Sequence, residues 1–348
     1  MVPLKIALHN SRFQALIGVG GIGSGTFFAL SGNHTLGREE SRSGRFLEAR
    51  DYCKLHIIAH YVQTLLGSPF VTLPIGKVGD DEVGHRLLAE MRAAGLDLSH
   101  VQVCPGLQTL YAICFIYPDG TGGNLTTDQS ACAQVDAGHV AQAASEFRQY
   151  AGRGIALVLP EVPLAAREKL LELGTAQRFF RVASFTSAEM WPAIEANLMG
   201  KLDLLAMNRD EAAAVVGMSA EDSYPLALVE ATIHKLRDIN PHLLASITAG
   251  KEGSWSWDGK ALLHVPALPV EVVSTAGAGD AHISGIIVGL VAGLTLSQAQ
   301  ELGTLVAALS VTSPHTIHPG VEQDSLRDFA SRHQAPLTEA VQSLLEED

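Results

Sequence analysis

The sequence has no cluster of lysine and arginine, and its charge runs the other way. Its 348 residues carry 24 basic and 37 acidic side chains, a net charge of −13. A chain this acidic repels a phosphate backbone, so no nucleic-acid partner is expected. The arginine-bearing stretch 38–50 also holds Glu39, Glu40 and Glu48, which makes it a mixed, solvated segment. Cysteine is scarce: Cys53, Cys104, Cys114 and Cys132 form no C-x-x-C pair, which fits reduced thiols in a cytoplasmic protein. The N-terminus lacks the basic-then-apolar pattern of a signal peptide. Long apolar runs are missing too. The most apolar stretch, 283–296, falls short of the roughly 20 residues that a membrane span needs, so it reads as a buried helix and no membrane partner is expected. Internal repeats and low-complexity tails are absent. Charged residues make up 18%, below the usual level of roughly 25%. With 33 glycines and 47% hydrophobic residues, this composition fits a large buried sheet with many tight turns and not disorder.

What is present is alternation. Short apolar runs at 14–19, 70–75, 101–103, 110–117, 155–159, 179–183, 202–207 and 243–248 read as strands. Helical spacing fills 55–66, 82–94, 164–173, 188–198, 210–216 and 225–238, with Gly67 and Gly95 closing the first two. Strands alternating with helices of this length imply a doubly wound, mostly parallel sheet in a three-layer α/β sandwich. Length alone would allow two domains, but a single α/β unit with insertions reaches this size. The expectation is one domain over 1–348. Two segments break the rhythm: 32–51 is polar and irregular, and 107–132 carries a hairpin-like strand pair with a turn at Pro118-Asp119-Gly120. Insertions at about 24–52 and 105–132 are therefore expected to form a small β lid.

The run Ser274-Thr275-Ala276-Gly277-Ala278-Gly279-Asp280 follows a valine-rich stretch, 270–273, read as a strand, and precedes a long apolar helix. The first N–H groups of that helix have no intrahelical acceptor. Side chains this small let an anion approach them, and the helix dipole adds attraction. Asp280 on the first turn is placed to take a proton from an attacking hydroxyl. A plain glycine-rich helix start with Asp280 as its cap explains the spacing equally well.

This run resembles the second signature of the ribokinase or PfkB-type carbohydrate kinases, D-T-x-G-A-G-D followed by a helix. Gly76-Lys77-Val78-Gly79-Asp80-Asp81-Glu82-Val83-Gly84 is similar to the family's G-x-V-G-D-D-x-x-G block. Asn208-Arg209-Asp210-Glu211 resembles its N-x-x-E motif, and Thr248-Ala249-Gly250-Lys251-Glu252-Gly253 its T-x-G-x-x-G segment. The resemblance runs over roughly residues 14 to 325. It implies a ribokinase-like fold and an ATP-dependent transfer of the γ-phosphate to a hydroxyl of a small molecule, a sugar or sugar-containing compound. Asp280 would be the base, and Gly277, Ala278 and Gly279 the anion hole. Thr248, Gly250, Gly253 and Thr275 would line the nucleotide. Asn208 and Glu211 would organise Mg²⁺ through its waters, although the same pair reads as a capping box. Glu161 matches a sugar-contacting position, or caps the helix after it. Gly20 and Gly21 would let substrate approach the backbone.

Departures from the family pattern fall on the acceptor side. The Asp that usually follows the first strand is Gly23 here, and the G-G-x-x-x-N block has no counterpart at 53–58. Asn33, His34, Lys54, His56 and Asn124 are the polar groups available to replace it. Ser274 stands where relatives have an Asp that helps bind a monovalent cation, which puts potassium activation in doubt. The acceptor's identity and the oligomeric state stay open, a homodimer among the options. Two other readings compete: a non-catalytic small-molecule sensor on the same fold, and a dinucleotide-dependent oxidoreductase. The second rests on Gly18-Val19-Gly20-Gly21-Ile22-Gly23, which fits G-x-G-x-x-G but is followed by a polar, turn-rich stretch instead of a helix.

Overall fold

Strand alternation decides the layers. All of β1 (Ala15–Val19) is buried, yet Leu16 packs into one hydrophobic cluster and Ile17 into another. In β8 (Gly154–Val158), Ile155 and Leu157 face the first cluster while Ala156 and Val158 face the second. A strand with both faces covered reads as a continuous apolar run, and that is how these segments read. The computed structural model describes residues 2–119 and 122–346.

The remaining strands are β2 (Gly23–Leu30), β3 (Gly44–Tyr52), β4 (Val71–Gly79), β5 (Val101–Cys104), β6 (Leu110–Ile116), β7 (Gly122–Thr126), β9 (Phe180–Ala183), β10 (Leu204–Asn208), β11 (Leu244–Thr248), β12 (Ser254–Trp257) and β13 (Leu262–Val265). Nine of them form one sheet in the order β13-β12-β11-β10-β9-β8-β1-β4-β5. The pairings from β11 through to β5 are parallel; β12 and β13 close one edge antiparallel. Helices Lys54–Leu66, Glu82–Ala93, Ala278–Val291 and Leu296–Ser310 cover one face. Leu164–Ala176, Arg209–Val216 and Pro225–Ile239 cover the other. The chain winds outward from β1 in both directions, to β4 on one side and to β8 on the other. The β1–β8 boundary is therefore the point where an open parallel sheet leaves a crevice at its strand ends.

A second sheet of four strands, β3-β2-β6-β7, is built from the two segments that break the rhythm. β2 pairs antiparallel with β3 and parallel with β6, and β6 pairs antiparallel with β7. Residues 18–23 thus lead from β1 into a strand, with no helix at the point where a dinucleotide fingerprint needs one.

Three local expectations change. Residues 44–52 within the polar stretch are a strand, concealed by a largely exposed face with Arg45, Glu48 and Arg50. Residues 270–273 are not a strand. Val272 and Val273 are more than half exposed, and Pro266 and Pro269 just upstream lack the N–H that a ladder needs. The helix expected over 188–198 shrinks to Met190–Glu195 between two 3₁₀ turns. Pro118 and Asp119 lie in a turn; Gly120 is outside the described residues.

Candidate active site

Gly277 caps the helix Ala278–Val291 in the left-handed conformation, φ 77°, and no side chain caps that helix. A Cβ at 277 would lie 2.8 Å from the Thr316 carbonyl oxygen, so both the dihedral and the space require glycine. At Gly279 an added Cβ would meet nothing within 4 Å. The helix N-terminus thus opens onto free space, as an anion site requires. Asp280, on the first turn, is 7% exposed. Lys54 Nζ, on the first turn of another helix, donates to Asp280 Oδ1 at 2.9 Å. Burial pulls the Lys54 pKa down, but Asp280, Glu211 and Glu161 around it outweigh that and carry it above the ordinary lysine value. Lys54 is therefore a fixed cation among carboxylates.

Glu161 stands at the β1–β8 crevice. Its backbone is left-handed, φ 73°, which is uncommon for a residue with a side chain. That conformation folds the side chain over Gly21: a Cβ at 21 would lie 2.5 Å from the Glu161 Cβ. Gly21 N donates to the Pro160 carbonyl at 3.0 Å, and a Cβ at Gly20 would be 2.9 Å from that of Leu159. Burial raises the Glu161 pKa to about 7, with Cys53 and Lys54 pulling against it and Asp280 and Asp51 adding to it. Its Oε2 is buried with no hydrogen-bond partner. The following helix, Leu164–Ala176, has no side-chain cap, so Glu161 does not serve as one.

Asp51, the penultimate residue of β3, also reaches this group, and nothing in the sequence singled it out. Its carboxylate accepts from the Cys114 thiol at 3.3 Å. Burial raises its pKa; Asp280 adds to that, while Thr316 and the Tyr52 backbone oppose it. Legible signal for Asp51 was weak, because its place depends on the β2–β3 register. Asn33 sits on the exposed stretch after β2, where its Oδ1 accepts from Asp119 N at 3.0 Å. His56 is fully buried, with neither ring nitrogen hydrogen-bonded.

On the other side of Lys54, Asn208 and Glu211 form a full capping box: Glu211 N donates to Asn208 Oδ1 at 2.9 Å and Asn208 N to Glu211 Oε2 at 2.8 Å. Burial raises the Glu211 pKa, and Lys54 opposes this. Asn208, Thr248 and Gly250 line one open cavity of about 380 Å³, together with Arg209, Asp210 and Glu221. Thr248 pairs with Ser254 in the β11–β12 hairpin. Gly253, φ 87°, is required by that turn, since a Cβ there would be 2.3 Å from the Val265 carbonyl oxygen. Thr275 is exposed, and its carbonyl accepts from Ala278 N at 3.2 Å. Among the described residues no three His, Cys, Asp or Glu side chains gather into a metal cluster. The donor set fits a Mg²⁺ that keeps its waters and arrives with phosphate oxygens, and does not fit a caged ion.

The profile of the pfkB family carbohydrate kinases matches residues 58–324. An uncharacterized sugar kinase of Escherichia coli, YegV, is 34% identical over 33% of this chain, a match that spans 35% of that protein. A fructoselysine 6-kinase of Shigella flexneri is 27% identical over 67% of this chain and 80% of its own length. Among solved structures, a ribokinase from Giardia lamblia superposes with a TM-score of 0.76 at 18% identity, covering 90% of this chain and 99% of its own. The chain belongs to the pfkB family of carbohydrate kinases. Its fold is the ribokinase-like αβα sandwich. Among the described residues no helix is long and apolar enough to cross a membrane.

Proposed function

We propose that this kinase transfers the γ-phosphate of ATP to a hydroxyl of a sugar or sugar-containing compound, with Asp280 as the base. The observation that carries this reading is a buried carboxylate on the first turn of an uncapped helix whose glycines leave open space in front of the N–H groups. Phosphoryl transfer asks the protein mainly for alignment and for charge on the departing and attacking sides. The N–H groups of residues 277–279 would meet the charge that develops on the phosphoryl oxygens. Asp280 would accept the acceptor's proton as the bond forms. Lys54, tied to Asp280, keeps a cation beside the reacting phosphate. The cavity at Asn208, Thr248 and Gly250 would take the nucleotide. Mg²⁺, carried with the phosphates, supplies charge neutralisation, and Asn208 and Glu211 would hold its waters. The second sheet would cover the acceptor and exclude water. Beside the intact anion hole, a non-catalytic sensor becomes one outcome of the test.

The test is ADP release with Mg-ATP over a panel of sugars, in the wild type and in Asp280→Asn. Turnover in the variant should fall by about 10²–10⁴, the usual worth of a general base, while ATP still binds. A variant that turns over at near wild-type rate removes Asp280 from the role. Sugar binding without any ADP release would mark a sensor.

A further inference from the structure

β2 begins on two glycines that share a face, Gly23 and Gly25, with Gly21 just before them. Each is filled from another element. Glu161 lies over Gly21, and the Cys53 sulfur would be 2.7 Å from a Cβ at 23. The Asp51 carboxylate would be 2.9 Å from a Cβ at 25. Gly25 is paired directly with Asp51 across the β2–β3 ladder, so the two share a face of the second sheet. Side chains alternate along a strand, so Arg50 and Tyr52 turn to the opposite face. There Arg50 binds Glu90 at 2.8 Å, Arg86 binds the Ser24 hydroxyl at 2.9 Å, and Tyr52 meets the His56 ring at 4.8 Å. On β3 the Arg50 side chain therefore turns away from Asp280 and the Asp51 carboxylate toward it. Beside Asp51 on the inner face lie the Cys114 thiol and, 3.8 Å from that sulfur, the Asn124 carbonyl oxygen. At the back of the same space the Glu161 Oε2 is buried and without a hydrogen-bond partner. Lys54, the one cation in the group, already pairs with Asp280.

We propose that Asp51, reaching in from β3, grips hydroxyls of the acceptor together with Glu161, and that this end of the site takes sugars without an anionic group and excludes those bearing a carboxylate or a phosphate. The inference rests on the reading of Asp280 as the site of phosphate transfer. Two carboxylates left over after the Lys54–Asp280 pair can each accept from hydroxyls, whereas a third anion brought among them meets a lysine that Asp280 already holds. Burial raises both groups and Asp280 adds to each, which favours the neutral carboxyl, a form that can donate as well as accept.

The probes are D-fructose, D-ribose and D-glucosamine against fructose 6-phosphate, D-gluconate and 2-keto-3-deoxygluconate, each assayed for Mg-ATP-dependent ADP release in the wild type and in Asp51→Asn. The first group should give the higher kcat/KM in the wild type. Asp51→Asn should raise the acceptor KM by about 10- to 100-fold, the worth of a hydrogen bond to a charged group, and leave the KM for ATP unchanged. Its thermal melt, compared with the wild type, separates a lost contact from a lost fold. An anionic acceptor used best, or an acceptor KM that Asp51→Asn does not move, overturns this inference and leaves the kinase reading standing. ADP release with none of the six overturns the kinase reading, and this inference with it.

Discussion

Glu161 shows how much one side chain here is held against its preferences. Left-handed backbone at a non-glycine residue persists only where the surroundings impose it, and such residues gather at functional sites. Its carboxyl is also costly to ionise. The folded pKa of about 7 lies above the ordinary glutamate value of 4.5. A carboxyl raised in this way contributes stability that is fully present below the unfolded pKa and is lost as pH rises through the folded one. Urea unfolding of the free protein should therefore show stability falling from about pH 5 to about pH 8. Glu161→Gln should flatten that slope, leaving the smaller contributions of Asp51 and Glu211, which are raised in the same direction. An unchanged slope in the variant would mean that Glu161 is already ionised in the folded protein. The place of Glu161 after a strand was legible in the sequence; its backbone conformation was not. Asp51 was illegible for a different reason. An acidic residue between Arg50 and Tyr52 looks like part of a solvated stretch until the β2–β3 register fixes which face it takes.

The turn before Ala278–Val291 was recognised as an element, while the approach to it was misread. Three valines in four residues suggested a strand, yet Val272 and Val273 are more than half exposed, and Val273 N and Ser274 N both donate to the Val311 carbonyl, at 2.8 and 3.2 Å. Ser274 uses its hydroxyl inside the turn, accepting from Ala276 N at 3.3 Å. A neutral oxygen already engaged in this way offers little to a cation that must shed its water. Once an acceptor is in hand, steady-state rates in matched potassium and sodium buffers should be similar at constant ionic strength. Strong, saturable activation by potassium would show that backbone carbonyls alone hold the ion. The element Arg209–Val216 teaches a related lesson. Asn208 and Glu211 were read both as a capping box and as metal organisers; the box is formed, and a Glu211 oxygen outside it is what remains for a hydrated ion.

Across the whole molecule the main sheet was legible because buried parallel strands announce themselves as apolar runs; the small β lid was expected from the two segments that break the rhythm, but β3 within it was hidden by a face open to water. That sheet is moored at its β3 edge by the loop after Leu296–Ser310. Arg50 N donates to His315 Nδ1, Thr316 N to the Arg50 carbonyl, and Tyr52 N to Thr316 Oγ1, all at 3.0–3.2 Å. Thr316 is buried against the Gly277 turn as well, so the same residue joins the second sheet to the anion hole. Thr316→Val should orphan the Tyr52 N–H and cost about 1–3 kcal/mol in urea unfolding. The acceptor KM should rise while ATP affinity holds; a variant as stable as the wild type would show that the mooring is not needed. The face built by Gly21, Gly23 and Gly25 has a further consequence, one for any redesign of the acceptor end. A side chain at 21 would collide with Glu161, and one at 23 or 25 would meet a backbone carbonyl of the paired strand β6, from Leu110 at 2.6 Å or Ala112 at 2.8 Å, as well as Cys53 or Asp51. Trimming Cys53 or Asp51 would therefore not make room at 23 or 25, because the sheet's own backbone holds that space. Bulk can be added or removed at this end of the site through Asp51, Cys53 and Glu161, while β2 stays fixed.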